Sequence, residues 1–219
     1  MINKLPRWVE VGGFLLTLNA GFINAVGLLG FKHQGVSHMT GTTTFLSLAI
    51  ANQQTNEILH LLLVLLSFIL GAACSGLLIG NTALKLGRPY SAALITESGL
   101  LLVAMLCLQN GSAIGDYFAS AACGLQNAMT TTYSGTVIRT THVSGLFTDI
   151  GLSLGLRFRG HTIDRRKVIL YTTLISGFAL GGIAGAAAFL HYQFSALWAP
   201  LLFPLSIGLA YGLYAHAKT

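Results

Sequence analysis

Long apolar runs separated by short polar connections make up most of the sequence. Two of them, LHLLLVLLSFILGAACSGLLIG (59–80) and VILYTTLISGFALGGIAGAAAFL (168–190), contain no charged residue. Each reaches the roughly 20 apolar residues that cross about 30 Å of hydrocarbon, so each predicts a transmembrane helix. With the weaker runs the pattern predicts eight helices, at 8–31, 40–52, 57–80, 90–109, 115–134, 143–157, 168–190 and 196–216.

The two halves of the chain repeat three motifs in the same order. GFINA (21–25) matches GLQNA (124–128), and SHMTGTTT (37–44) matches THVSGLFT (141–148). A ladder of small residues completes the series, and it pairs Ala72, Gly76 and Gly80 with Gly177, Gly181 and Gly185. Because internal repeats define architecture, we expect a single membrane domain (1–219) made of a first repeat (1–110) and a second repeat (111–219).

The second helix of each repeat is too short to cross a bilayer. Segments 40–52 and 143–157 contain 13 and 15 residues, which make only about 20 Å of helix at 1.5 Å per residue. The hydrocarbon core is about 30 Å thick. These two segments are therefore predicted to be re-entrant half-helices.

The distribution of positive charge tests that prediction, because cytoplasmic loops carry the excess of Lys and Arg. If both short segments crossed the membrane, eight of the twelve Lys and Arg would be cytoplasmic; if both are re-entrant, eleven are, and only Lys32 is outside. The second arrangement inverts the second repeat. The sequence thus predicts an all-α integral membrane protein with six spanning helices, two re-entrant half-helices and both termini in the cytoplasm.

Composition supports a membrane protein and argues against nucleic-acid binding. The 219 residues are 53% hydrophobic and only 8% charged, which is too apolar for an ordinary soluble domain. The net charge of +6 is compatible with a nucleic-acid partner, but five of the twelve cations lie in one loop, RFRGHTIDRRK (157–167). That loop is more typical of a cytoplasmic anchor.

The repeated polar motifs are the candidate chemistry. A helix start presents unpaired N–H groups and a partial positive charge, so two starts that face each other at the midplane favour an anion or a polar neutral molecule. We take Ser37 and Thr141 as candidate N-caps. The candidate substrate-binding residues are Asn24, His38, Thr40, Gly41, Thr44, Asn127, His142, Ser144, Gly145 and Thr148.

Other roles are open for part of this set. Glycine and threonine also serve helix packing in membranes, so Gly41, Gly145, Thr44 and Thr148 are equally compatible with packing. The two Asn residues are more typical of braces that hold re-entrant backbone than of direct solute contacts. The two His residues favour a site role, because burial of an imidazole in a membrane is costly.

Two carboxyl groups interrupt apolar segments. Glu97 lies within the fourth helix and Asp149 follows Thr148. Intramembrane acids commonly carry protons or pair with cations, so both are candidates for proton coupling. For Glu97 a solvated position near the lipid headgroups is an alternative, since it lies about seven residues from the predicted helix start.

No enzyme, cofactor or metal site is predicted. GLSLG (151–155) fits the nucleophile pattern G-x-S-x-G, but Ser153 lies inside a short apolar helix instead of the strand-to-helix turn that the motif requires. Two His residues alone are too few for a zinc site. The small-residue ladders predict close helix packing, within one subunit or across a homodimer.

GFINAVGLLGFKHQGVSHMTG (21–41), together with the later THVSG, resembles the YoaK-like family of bacterial inner-membrane proteins, a family of unknown function. The resemblance covers nearly the whole chain. It implies a multi-pass protein of the bacterial plasma membrane and leaves function to be inferred from the site.

Two functions from different classes follow. The first is a transporter or channel for a small molecule or ion, bound between the half-helix starts. The second is a membrane scaffold or sensor, in which the polar motifs only stabilise the re-entrant segments and the basic 157–167 loop docks a partner or anionic lipid.

Overall fold

The computed structural model of the chain is all-helical over the residues it describes, which are 6–30, 33, 35–80, 87–135 and 137–216. Every predicted helix is present, with ends within five residues of the expected positions. The bounds are α1 Arg7–Leu29, α2 Met39–Ala51, α3 Thr55–Ile79, α4 Arg88–Gln109, α5 Ile114–Tyr133, α6 Val143–Phe158, α7 Arg165–Tyr192 and α8 Trp198–His216, with a 3₁₀ turn at Gln193–Leu197 before α8.

Four segments are long and apolar enough to cross a membrane, in keeping with a multi-pass membrane protein. They are α1, α3, α4 and the stretch Arg165–Leu213, which contains α7, the 3₁₀ turn and most of α8. That last stretch has 49 residues and is interrupted at Gln193, whose φ of 49° is not helical. The helices α2 and α6 contain 13 and 16 residues, about 20 and 24 Å of helix.

The helix α5 is 20 residues long but more polar than the others, with Ser, Gln, Asn and Thr along its length. It is also among the most enclosed helices, and twelve of its residues are buried. Its buried polar side chains, which include Ser120 and Gln126, therefore face protein and not the surroundings, as polar residues of membrane helices usually do.

Two pairs of helices pack through glycines that touch the partner's backbone. In the contact of α1 with α7, a Cβ at Gly21 would overlap the carbonyl of Phe178, and one at Gly181 would overlap the carbonyl of Leu18. In the contact of α5 with α3, Gly124 and Gly71 lie in the same way against the carbonyls of Phe68 and Ala121. The two contacts are thus built alike, and each joins one helix of the first half to one of the second.

The predicted ladder of α3 is not the face that packs within the subunit, and its alternative role, packing across a homodimer, stays a prediction. The α7 glycines pack against α1, which is the alternative of packing within one subunit. In α3, by contrast, Gly76 and Gly80 have open space where a Cβ would be. The buried small residues of α3 are Gly71 and Ser75, and Gly71 precedes its counterpart Gly181 by 110 residues instead of 105. The shift arises because α6 and the loop after it are longer than α2 and its loop.

The short helices lie on the outside of the bundle, α2 against α3 and α6 against α7. Only Thr42 and Ala49 of α2 and Leu146 of α6 are buried, so most of both helices is exposed and only their first turns reach inward. Among the cations used in the charge comparison, Lys4, Lys32, Lys85 and Lys218 lie outside the described residues.

Candidate functional site

The starts of α2 and α6 line one cavity of about 690 Å³. Both short helices contribute their first turn and the residues before it, and α1 and α5 contribute the polar residues next to them. The polar lining consists of Asn24, Ser37, His38 and Thr40 from the first half and Asn127, Thr131, Thr132, Arg139, Thr141, His142 and Ser144 from the second.

The two asparagines of the repeated G-x-x-N-A motif hold the segments that lead into these helices. The Oδ1 atom of Asn24 accepts hydrogen bonds from the backbone N–H of Ser37 at 3.2 Å and from its hydroxyl at 2.9 Å. In the second half Asn127 Oδ1 accepts from the N–H of Thr141 at 3.4 Å and the hydroxyl of Thr140 at 3.5 Å. Irregular backbone within a membrane needs such partners, so the geometry fits the brace role, while both side chains also reach the cavity.

The N-cap positions belong to the histidines and not to Ser37 and Thr141. His38 and His142 share one backbone conformation (φ −94°, ψ 67° and φ −97°, ψ 54°), and neither side chain caps its helix. The Ser37 hydroxyl is instead bound to Asn24. Both imidazoles are consequently left to face the cavity, and both residues are exposed.

The glycines of the two motifs make room for these imidazoles. A Cβ at Gly41 would overlap the ring of His38, and one at Gly145 would overlap the ring of His142. Each ring therefore lies over the first turn of its own helix. This explains the spacing His-x-x-Gly in both halves without requiring that the glycines touch a solute.

The predicted threonines divide into two groups. Thr40 and Ser144 line the cavity, whereas the hydroxyls of Thr44 and Thr148 donate to the carbonyls of Thr40 and Ser144, both at 3.0 Å. Neither Gly41 nor Thr44 lines the cavity. A second pocket of about 530 Å³ shares Arg139, His142 and Ser144 with it and adds Gly145, Thr148 and Asp149.

The electrostatic character of the cavity is positive. Among its lining residues Arg139 is charged, two are imidazoles and none is a carboxylate. The helix starts add partial positive charge. An anion is therefore better matched than a cation.

Apolar side chains that sequence reasoning did not single out form the rest of the wall. Phe68 and Phe178 line it, one from α3 and one from α7, together with Phe147 of α6. Phe68 and Phe178 are the residues whose carbonyls touch Gly124 and Gly21. No sequence signal distinguishes them from other phenylalanines of apolar helices, but Thr131 lies one turn after Asn127 and its helical spacing could have indicated it.

The two candidate carboxyl groups lie outside the cavity. Glu97 is fully buried, so the solvated interfacial position is wrong for it. Asp149 is half-exposed, and its Oδ1 lies 3.9 Å from Lys167 Nζ. The geometry therefore separates two acids that looked alike in sequence.

The residues considered for a metal site and for the G-x-S-x-G motif can also be located in the structure. Within the described ranges no three His, Cys, Asp or Glu side chains come together. Ser153 lies inside α6, and its hydroxyl donates to the carbonyl of Asp149 at 2.8 Å.

Comparison with known proteins identifies a family. A model of the family described as "Protein of unknown function (DUF1275)" matches residues 12–210, a range that includes both polar motifs. No curated protein and no solved structure matches the chain.

Proposed function

Because the chain belongs to the family of proteins of unknown function DUF1275, whose name assigns no activity, we propose from the cavity that it is a membrane transporter or channel for a small anion. The observation that carries this proposal is the meeting of both helix starts and both histidines in one cavity. A site shared by two repeats is the usual arrangement of substrate sites in transporters.

The charge of the lining supports an anion over a polar neutral molecule. Arg139 supplies a full positive charge, and the imidazoles, the hydroxyls and the amides supply hydrogen-bond donors. A cation would meet the positive helix ends without a carboxylate to offset them.

The size of the cavity supports an organic anion over a bare halide. About 690 Å³ lies within the range of roughly 300–1,000 Å³ typical of pockets for organic ligands. The phenylalanines on its wall suit an apolar body attached to the charged group. Small carboxylates or sulfonates with a hydrocarbon part are thus the best-matched class.

The topology that we propose has six spanning helices in two inverted halves, with α2 and α6 as half-helices. The matched glycine contacts of α1 with α7 and of α5 with α3 support two equivalent halves. The lengths of α2 and α6, about 20 and 24 Å, and the burial of the polar face of α5 support six crossings. Together with the charge distribution, these observations support a bacterial inner-membrane protein with both termini in the cytoplasm.

The basic loop offers less support to the scaffold alternative. Arg166 is held by Glu10, to which its Nε and Nη2 donate at 2.8 and 2.7 Å. Lys167 pairs with Asp149, and the carboxylate of Asp164 caps α7. Several of its charges are thus used within the subunit and not presented to a partner.

The test is uptake by the purified full-length protein in phosphatidylcholine and phosphatidylglycerol vesicles. Benzenesulfonate and methanesulfonate are suitable probes because they stay ionised and cross lipid poorly. We expect uptake of benzenesulfonate above that of protein-free vesicles. His38→Ala, His142→Ala and Arg139→Gln should each weaken it about tenfold, since each removes a hydrogen bond or ion pair that contributes about 1 kcal/mol or more.

His161→Ala is the matched control, because His161 lies on an exposed loop outside the cavity lining. Calorimetry with neutral benzenesulfonamide separates the contribution of charge to binding from that of shape. Equal affinities for benzenesulfonate and benzenesulfonamide would favour a polar neutral solute. If no sulfonate enters, and the histidine variants match the wild type in binding, the transport proposal is wrong.

A further inference from the structure

A buried carboxyl group lies where the two halves meet, outside the cavity. Glu97 on α4 is fully buried, and Asn19 on α1 and Gln126 on α5 are buried beside it. Each lies roughly 10 to 18 Å from the ends of its helix at 1.5 Å per residue. In spanning helices this is near the middle of the membrane.

The hydrogen bonds of this cluster centre on the amide nitrogen of Asn19. It donates to Glu97 Oε1 at 3.2 Å and to Gln126 Oε1 at 3.1 Å, while Gln126 Nε2 donates to the carbonyl of Leu16 at 2.9 Å. Glu97 Oε2 has no hydrogen-bond partner in the part of the chain that the structure describes. One carboxyl oxygen is thus held, and the other is available for a proton.

The surroundings of Glu97 do not support a lasting negative charge. It makes no ion pair with a Lys, Arg or His of the described residues, and a buried carboxylate without a positive partner is strongly disfavoured. From α5 the thiol of Cys123 is close enough to interact with it electrostatically. The other elements packed against α4 are α3, α8 and the 3₁₀ turn, and none of their described side chains hydrogen-bonds or pairs with Glu97.

A proton fits this cluster better than a metal cation. A cation would have to lie between the oxygens of Glu97 and Gln126, and the Asn19 nitrogen already occupies that position. Asp149 does not compete for this role, because it is 40% exposed and faces Lys167.

The cluster also joins helices that belong to two tightly packed pairs. Asn19 and Leu16 lie on α1, which packs on α7, whereas Gln126 lies on α5, which packs on α3, and Glu97 lies on the adjacent α4. Movement of the α1–α7 pair against α3, α4 and α5 would break the hydrogen bonds of Asn19 to Glu97 and Gln126 and that of Gln126 to Leu16. It would also admit water to Glu97 Oε2. The carboxyl group could then transfer its proton to that water, and further water molecules would hydrogen-bond to the carboxylate in place of the Asn19 N–H.

We propose that Glu97, Asn19 and Gln126 form a proton-binding site within the membrane, in which Glu97 is protonated while α1 is in contact with α4 and α5 and exchanges its proton when these helices separate. This site rests on the two-half arrangement proposed above, but not on the identity of the solute.

Infrared spectroscopy of the full-length protein in phosphatidylcholine and phosphatidylglycerol vesicles tests the site without a transport assay. We expect a protonated-carboxyl band that disappears as the pH is raised. Glu97→Gln should lack it, because the amide reproduces the neutral side chain and its bond to Asn19 but cannot titrate. Since no solute is added, failure of this test is distinct from failure of the transport proposal.

Two variants serve as controls. Asp149→Asn removes the exposed acid, and Asp116→Asn removes the other deeply buried one, whose Oδ2 lies 3.8 Å from His60 Nε2; both should keep the band. A band that persists in Glu97→Gln, or one that does not respond to pH in the wild type, overturns the proposal. If Glu97→Gln does not fold, Glu97→Asp should shift the frequency of the band. An unshifted band in Glu97→Asp would also contradict the proposal.

Discussion

Each of the two short helices begins with a histidine whose imidazole lies over a glycine three residues further on. The backbone at His38 and His142 is nearly identical, and the rings occupy the space that a side chain at Gly41 or Gly145 would need. The motif therefore fixes the direction of an imidazole and not only the start of a helix. An indirect role for the glycines follows from this arrangement.

Gly145→Ala is expected to separate binding from stability. The new methyl group would displace the His142 ring, which is the movable part of the contact, so benzenesulfonate binding should weaken about tenfold, for the loss of about 1.4 kcal/mol. Thermal stability should not fall, because Ala favours a helix over Gly by up to about 1 kcal/mol. Calorimetry and a thermal melt in detergent measure the two effects.

Gly151→Ala in the same helix is the matched control, since nothing lies within 4 Å of its Cβ position. It should raise stability slightly and leave binding unchanged. Equal binding by the Gly145 and Gly151 variants would show that the imidazole direction does not matter.

Sequence reasoning located the residues of the site better than it assigned their roles. Asn24 and Asn127 were chosen from a repeated motif, and their hydrogen bonds to Ser37 and Thr141 appear only in three dimensions. Glu97 and Asp149 were indistinguishable as acids in apolar runs. Their burial separates them, because burial depends on which helices pack around each residue.

The helix contacts of α3 show how a correct principle can give the wrong register for the contact within one subunit. Small residues at four-residue spacing do mark helix interfaces in membranes, and the α7 glycines follow that principle. In α3, however, two sets of residues have this spacing, Gly71 with Ser75 and Ala72 with Gly76 and Gly80. The second set, whose glycines are exposed, is more similar in sequence to the α7 ladder. Only the contact of Gly71 with the Ala121 carbonyl identifies the buried set.

Gly71→Ala and Gly76→Ala test this register within one helix. At Gly71 the methyl group would overlap backbone, which cannot rotate away, so the free energy of unfolding should fall by about 1–3 kcal/mol. At Gly76 the space is open, and stability should be unchanged or slightly higher. Thermal melts of the two variants in the same detergent provide the measurement.

A matching loss in Gly181→Ala would support the equivalence of α3 and α7. If instead Gly76→Ala is the more damaging variant, the original ladder is correct and the exposed face of α3 is covered by another copy of the chain.

At the scale of the whole molecule, the six-span and eight-span arrangements place four loops on opposite sides of the membrane, and two of these loops are short and described by the structure. If α2 is a half-helix, the loop before α3 and the loop after α4 are both outside; if α2 crosses, both are cytoplasmic. Gln54 and Asn110 lie in these loops and are exposed. They can therefore report the topology.

Labelling with a membrane-impermeant thiol reagent reads this difference in intact cells. On a background without Cys74, Cys107 and Cys123, Gln54→Cys and Asn110→Cys should react from outside, because three crossings per half place both loops there. His161→Cys should react only after permeabilisation. Protection of both loops in intact cells would contradict the inverted arrangement.

The sequence by itself determined the helices, because apolar length and hydrophobic contrast act locally along the chain. It also determined the repeat and the candidate motifs, since these depend on order and spacing alone. The tertiary structure decided which glycines touch a partner, which asparagine oxygens hold a loop and which acid is buried. These properties depend on how helices distant in sequence face one another. Neither composition nor periodicity specifies how each helix is rotated about its axis relative to its neighbours. The meeting of the two polar motifs in one cavity is of the same kind, because it follows from the packing of α1 on α7 and α3 on α5.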